Sequence, residues 1–136
     1  LPPTLPALLR AYRLQERAAG VGFDWPDVTG PIEKVREELA EVEEELARNP
    51  VSPERLSDEI GDLLFAVVNV ARKAGVHPGA ALERSNAEFQ RRFVQVERIA
   101  TERGVVLSKA TLDELDLIWE EVKRGARGEE RAVPEE

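Results

Sequence analysis

Hydrophobic positions recur at three- and four-residue steps along most of this chain, the spacing that lines one face of an α-helix. Ile32, Val35, Leu39, Val42 and Leu46 follow it closely, with Pro31 where a first helical turn tolerates proline, and predict a helix ending near Asn49-Pro50. A second stretch opens on Ser52 as N-cap with Pro53 in the first turn. It carries Leu56, Ile60, Leu63, Leu64, Val67, Val68 and Ala71 to a stop at Gly75. This is the most apolar segment and is expected to be central. A third helix is expected from Pro78, through Ala81, Leu82, Phe89, Phe93, Val96 and Ile99, to Gly104. Thr111-Leu112-Asp113-Glu114 has capping-box spacing and opens a last helix through Leu115, Ile118, Trp119 and Val122. Leu5 to Arg17 reads as a first helix, and Gly20 to Pro26 as a turn-rich loop.

The pattern predicts an all-α fold, a bundle of four to five helices in one domain over residues 1–124, followed by a polar tail over 125–136. Composition agrees: 34% of residues are charged and only 5% aromatic, the balance of amphipathic helices with solvated outer faces. A formal charge of −8 argues against nucleic-acid polymers and anionic membranes, which are captured by clustered Lys and Arg. The absence of cysteine excludes disulfides, thiolate metal sites and cysteine nucleophiles. No apolar run approaches a membrane span and residues 1–13 lack the order of a signal peptide, so a cytoplasmic protein is expected. The apolar breadth of the segment from Leu56 to Ala71 exceeds one stripe, so its few partner helices would not cover it and a homodimer is expected.

Candidate chemistry lies in two carboxylate pairs, Glu38 with Glu41 and Glu59 with Asp62, each separated by three positions and so on one helix face. The helices that carry them are joined by a short connection and should be antiparallel neighbours, letting the four carboxylates converge. Such oxygens suit hard cations, Mg²⁺ or Mn²⁺. The competing reading is a solvated acidic face, since Glu-x-x-Glu is common on acidic helices. His77 stands alone before Pro78 and reads as a helix-start residue, and neither an EF-hand nor a Gly-rich phosphate loop is present. Arg91, Arg92 and Lys123 are candidates to meet phosphate oxygens.

Lys34 to Val42 and Asp58 to Arg72, continued by Asn86 to Phe93, Trp119 to Lys123 and Gly22-Phe23-Asp24-Trp25, closely resemble the MazG pyrophosphohydrolase family. The resemblance implies an all-α domain completed by dimerisation that hydrolyses nucleoside triphosphates to monophosphate and pyrophosphate, a nucleotide-pool house-cleaning activity. It further implies Mg²⁺ on Glu38, Glu41, Glu59 and Asp62, a proton-accepting role for Glu37 beside Glu38, and substrate contacts from Asn86, Arg92, Trp119 and Lys123. Where members often have Asn-x-Lys-Phe, this chain has Asn86-Ala87-Glu88-Phe89, reversing one charge expected to face phosphate. Two alternatives stay open: a narrower pyrophosphatase for dUTP or a phosphoribosyl-nucleotide, and a non-catalytic helical dimerisation or regulatory module.

Overall fold

The computed structural model describes the backbone of residues 1 and 4–132 and the side chains of residues 1 and 4–125. Helices dominate it, in the order α1 (Ala7–Gly20), α2 (Thr29–Leu46), α3 (Pro53–Lys73), α4 (Pro78–Glu102) and α5 (Leu112–Ala132), with a 3-10 turn at Leu107–Lys109. The described residues contain no strand, in keeping with the all-α reading.

Local chemistry accounts for the helix ends. Ser52 Oγ accepts the Arg55 backbone N–H at 3.3 Å, and Thr111 Oγ1 accepts that of Glu114 at 3.2 Å, satisfying donors that a helix start leaves free. Three helices finish the same way. Gly22, Gly75 and Gly104 take positive φ values of 87°, 76° and 68°, and the following residue donates its N–H back into the helix: Phe23 to Ala18 O, Val76 to Ala71 O and Val105 to Ala100 O. This return bond needs a left-handed residue, which glycine supplies without steric cost. Helix α5 runs past Arg124, where the sequence suggested a tail, because glycine weakens a helix by only about 1 kcal/mol and does not break it as proline does. Residues 133–136 of that tail lie outside the described residues.

The chain divides into two compact units, Leu1–Leu82 and Glu83–Glu136, with the division inside α4. In the first unit α2 and α3 form an antiparallel hairpin, and α1 packs on α3. The hairpin has a readable register: Glu45 Oε1 meets the Arg55 guanidinium at 3.2 Å, and one turn further from the connection Glu41 meets Glu59. Gln15, buried on α1, donates from Nε2 to the Phe65 carbonyl of α3 at 2.9 Å and fixes α1 against it. In the second unit Val96 and Ala100 of α4 close on Ile118 and Val122 of α5, with Ile99, Val105, Leu107 and Trp119 around them.

The buried face of α2 differs from its hydrophobic stripe. Pro31, Glu38, Val42 and Glu45 are buried, while Ile32, Leu39 and Leu46 are exposed. Helix α3 turns Ala66 and Val68 inward and leaves Ile60, Leu64, Phe65 and Val67 exposed. Burial on α2 thus follows the carboxylates that meet α3 at the register of the hairpin, and two apolar faces remain on the surface.

Candidate metal centre

Glu38 and Glu41 stand one turn apart on α2, and the antiparallel register of α3 brings Glu59 opposite them. One carboxylate oxygen from each of the three lies within 4.8 Å of the others. Glu38 is buried, Glu41 and Glu59 partly so. Glu38 Oε1 receives the Lys34 ammonium at 3.1 Å, which raises the Lys34 pKa through that bond. Its other oxygen, Oε2, is buried without a hydrogen-bond partner, as is Glu59 Oε2. Among the described residues neither Glu41 nor Glu59 has a basic group at ion-pair distance.

Three carboxylates with one nearby cation is an unfavourable arrangement, and it favours the protonated form of one of them. The Glu41 pKa is pushed up to about 7, first by its hydrogen bond with Glu59, then by the charge of Glu38 and by desolvation. Unpartnered buried oxygens normally cost a few kcal/mol each, so the donor set is suited to a divalent cation, which would satisfy all three groups at once. Asp62 lies outside this group of three. It is exposed and lines, together with Glu38, the cavity beside it. Glu37 is exposed and sits 3.6 Å from Lys34.

The cavity has a volume of about 630 Å³. Lys34, Glu38 and Asp62 border one part, and Leu14, Phe23, Trp25, Phe65 and Ala66 supply apolar lining, with Asn69 and Arg72 among the polar groups. The loop between α1 and α2 contributes Asp24, whose carboxylate pairs with Arg72 and, at 3.2 Å, with Lys73. Hydrogen bonding from Arg72 holds Asp24 well below the usual carboxylate range, with help from Lys73 and the Trp25 backbone N–H against the cost of desolvation.

Residues 30–96 match the model of the MazG nucleotide pyrophosphohydrolase domain, a span that includes all four carboxylates of the two sequence pairs. Over those residues the chain carries a MazG-type domain. It is 44% identical over 124 residues to a nucleoside triphosphate pyrophosphohydrolase of Escherichia coli, covering 91% of this chain and 47% of the relative. A Thermotoga maritima protein named nucleoside triphosphate pyrophosphohydrolase/pyrophosphatase MazG is 42% identical over 123 residues, 90% of this chain and 46% of that protein. An uncharacterized Bacillus subtilis protein, YabN, is 46% identical over 127 residues, 93% of this chain but 26% of its own length. The chain therefore spans about half the length, or less, of the curated relatives it matches.

Apart from His77, the remaining residues singled out in the sequence occupy the second unit. Arg92 is mostly buried and pairs with Glu88 at 2.8 Å, while its Nε is buried without a partner. Glu88 also reaches Arg91. Trp119 tilts against Phe89 at 5.5 Å beside the core, Lys123 lies 3.6 Å from Glu120, and Asn86 donates to Glu83 at 3.3 Å. His77 accepts the Ala80 N–H at Nδ1, at 3.2 Å, and lies against Tyr12, the role of a helix-start residue.

Sequence reasoning missed Gln15, Asp24, Lys34 and Glu45. Glu45 carried a usable signal, since with Glu38 and Val42 it follows helical spacing on one face of α2. Lys34 stands four positions before Glu38, a pairing distance on a helix. Gln15 and Asp24 act across 50 and 48 positions of sequence, where no local pattern reaches.

Proposed function

We propose that this chain hydrolyses nucleoside triphosphates to nucleoside monophosphate and pyrophosphate, as a homodimer that uses Mg²⁺ or Mn²⁺ held by Glu38, Glu41 and Glu59, with Asp62 completing the set on the cavity side. The observation that carries it is the trio of carboxylates, of which Glu38 and Glu59 each hold a buried oxygen without a partner, within the stretch that matches the MazG model. The names of the Escherichia coli and Thermotoga maritima relatives support the same activity.

A bound divalent cation supplies positive charge against the triphosphate and acidifies a water at neutral pH. The protein's own part begins with Lys34, which fixes one oxygen of Glu38 and leaves the other free to ligate. Glu41, whose pKa is pushed up to about 7, would ligate a cation in its ionised form. Glu37, exposed beside Glu38, is the proposed acceptor of the proton from the attacking water. Arg92 and Lys123 are the proposed phosphate contacts, Asn86 and Trp119 the proposed neighbours of the substrate. The homodimer accounts for the exposed Ile60, Leu64, Phe65 and Val67 of α3, which a second copy would cover. Nucleotide-pool house-cleaning in the cytoplasm is the physiological role in keeping with this activity.

The deciding experiment is a screen of ordinary and damaged triphosphates for pyrophosphate release with and without Mg²⁺. Pyrophosphate and monophosphate in equal amounts are expected. Orthophosphate as the sole product, or no turnover of any triphosphate, overturns the reading. Sedimentation at micromolar concentration should return twice the monomer mass, and an active monomer would remove the dimer from it.

A further inference from the structure

The cavity beside the carboxylates has one wall that is built with unusual care. Trp25 lines it from the loop between α1 and α2, with 42% of its surface exposed. Its ring rests on the bare backbone of Gly30 in the first turns of α2. A Cβ placed on Gly30 would lie 2.3 Å from Cε3, 2.7 Å from Cδ2 and 2.9 Å from Cζ3 of the indole. Carbon atoms do not approach so closely, so any residue other than glycine at position 30 must push the ring off its seat. Gly30 is helical and has no positive φ, so its missing side chain serves this contact and not a special backbone conformation.

The residue before Trp25 is anchored separately. Asp24 pairs with Arg72 and Lys73 at the end of α3, with side chains 22%, 12% and 21% exposed. These are shielded pairs on one carboxylate, and they tie the loop to the helix that carries Glu59 and Asp62. The indole is therefore held on α2 and its backbone on α3, the two helices that supply the carboxylates. A wall fixed to both is fixed relative to the metal ligands.

From this we infer that Gly30 and Asp24 are positioning residues that seat Trp25 as the platform for the nucleoside end of the substrate, while its phosphates lie at the carboxylates. The inference rests on the proposed pyrophosphohydrolase reading for the identity of the phosphate end. The occupant follows from the lining. An indole face takes any base by stacking, Asn69 offers an amide for its polar edge, and Glu38 belongs to both cavity and cluster, so one molecule spans the two. A volume of about 630 Å³ lies within the ordinary range of small-molecule sites and accommodates a nucleoside.

The test compares two ligands that share the phosphate end. Calorimetry with Mg²⁺ measures the affinity of an α,β-imido nucleoside triphosphate, which is not cleaved at that bond, and of inorganic tripolyphosphate. Trp25→Ala and Gly30→Ala are each expected to weaken the nucleotide about tenfold or more, the scale of one lost base stack, and to leave tripolyphosphate within about twofold. Asp24→Asn should weaken it in the same selective way and to a smaller extent. In the Trp25→Ala background Gly30→Ala should have no further effect, because it acts only through the ring. Equal weakening of both ligands, or additive losses in the double variant, overturns the inference. Should Gly30→Ala fail to fold, Trp25→Ala removes a half-exposed side chain and still decides the matter. The two readings fail separately: nucleotide binding that depends on Trp25 without pyrophosphate release overturns hydrolysis and supports the platform. Normal hydrolysis with KM unchanged in Trp25→Ala does the reverse.

Discussion

The two units of the chain treat charge in opposite ways. In Glu83–Glu136 several charged side chains pair with one another, Arg98 with Glu102, Arg103 with Glu121, Arg91 and Arg92 with Glu88, although Arg92 Nε is buried without a partner. Its core is aliphatic, from Val96, Ala100, Ile118 and Val122. In Leu1–Leu82 the buried positions of α2 include Glu38 and Glu45, and polar atoms of Gln15, Glu38 and Glu59 are buried without partners. The core of one unit is aliphatic, while the other buries carboxylates beside a cavity. Chemistry is to be sought where stability has been left incomplete.

The contrast is most sharply tested at Glu59. Glu59→Gln should cut metal-dependent turnover by more than about a hundredfold, beyond the loss typical of groups that only support a ligand. The same substitution should raise the melting temperature of metal-free protein, because it removes one of three crowded carboxylates. Turnover with unaltered metal dependence would reduce the acidic cluster to a surface feature. Ile118→Ala should act in the opposite sense and lower stability by about 2–5 kcal/mol, the cost of a cavity in an aliphatic core, read by denaturant unfolding.

A titration sharpens the comparison without mutation. Glu41 is raised from 4.5 to about 7, so the metal-free folded state binds its proton more tightly than the unfolded chain. Stability should therefore decline as pH rises from about 4.5 to about 7 and level off above it. Saturating Mg²⁺ should reverse the trend in that window, since the cation selects the ionised form. Asp24 has the opposite sign but a separate range: its support is complete above the normal carboxylate pKa of 3.8 and is lost only below it. Thermal melts across pH with Mg²⁺ or EDTA test both. The smallest effect is expected at Glu88, whose pairs with Arg91 and Arg92 are partly exposed. Such pairs contribute at most about 1 kcal/mol, so Glu88→Lys should lower KM for triphosphates by no more than about fivefold with kcat little changed. A raised Mg²⁺ requirement in that variant would instead make Glu88 part of the metal centre.

Helix ends were legible because their causes are local. Ser52, Thr111, Gly75 and Gly104 each terminate or start a helix by bonds within a few residues. The spacing on one helix singled out Glu38, Glu41 and Glu59, which the structure brings together, and also Asp62, which it leaves outside the group. What spacing could not reveal was which of two apolar faces of α2 is buried, since Ile32, Leu39 and Leu46 satisfy the helical period as well as Val42 does. Nor could it reveal Gln15 on Phe65 or Asp24 on Arg72, which depend on how helices meet. The cavity is of that kind throughout: Leu14, Trp25, Glu38 and Phe65 become neighbours only after folding.

The hairpin of α2 and α3 can be viewed as a ladder whose rungs are finished differently. At the rung near the turn, Glu45 is closed by two cations of the chain itself, Arg55 at 3.2 Å and Arg48 at 3.0 Å. At the next rung Glu41 faces another carboxylate, Glu59, and among the described residues no basic group stands at ion-pair distance from either. The first rung is a bond written wholly into the gene, while the second sets two carboxylates against each other. Writing an arginine into position 59 would make the second rung a copy of the first. The expected product is a chain that folds at least as firmly and has become indifferent to Mg²⁺, with fold and catalysis separated by a single codon.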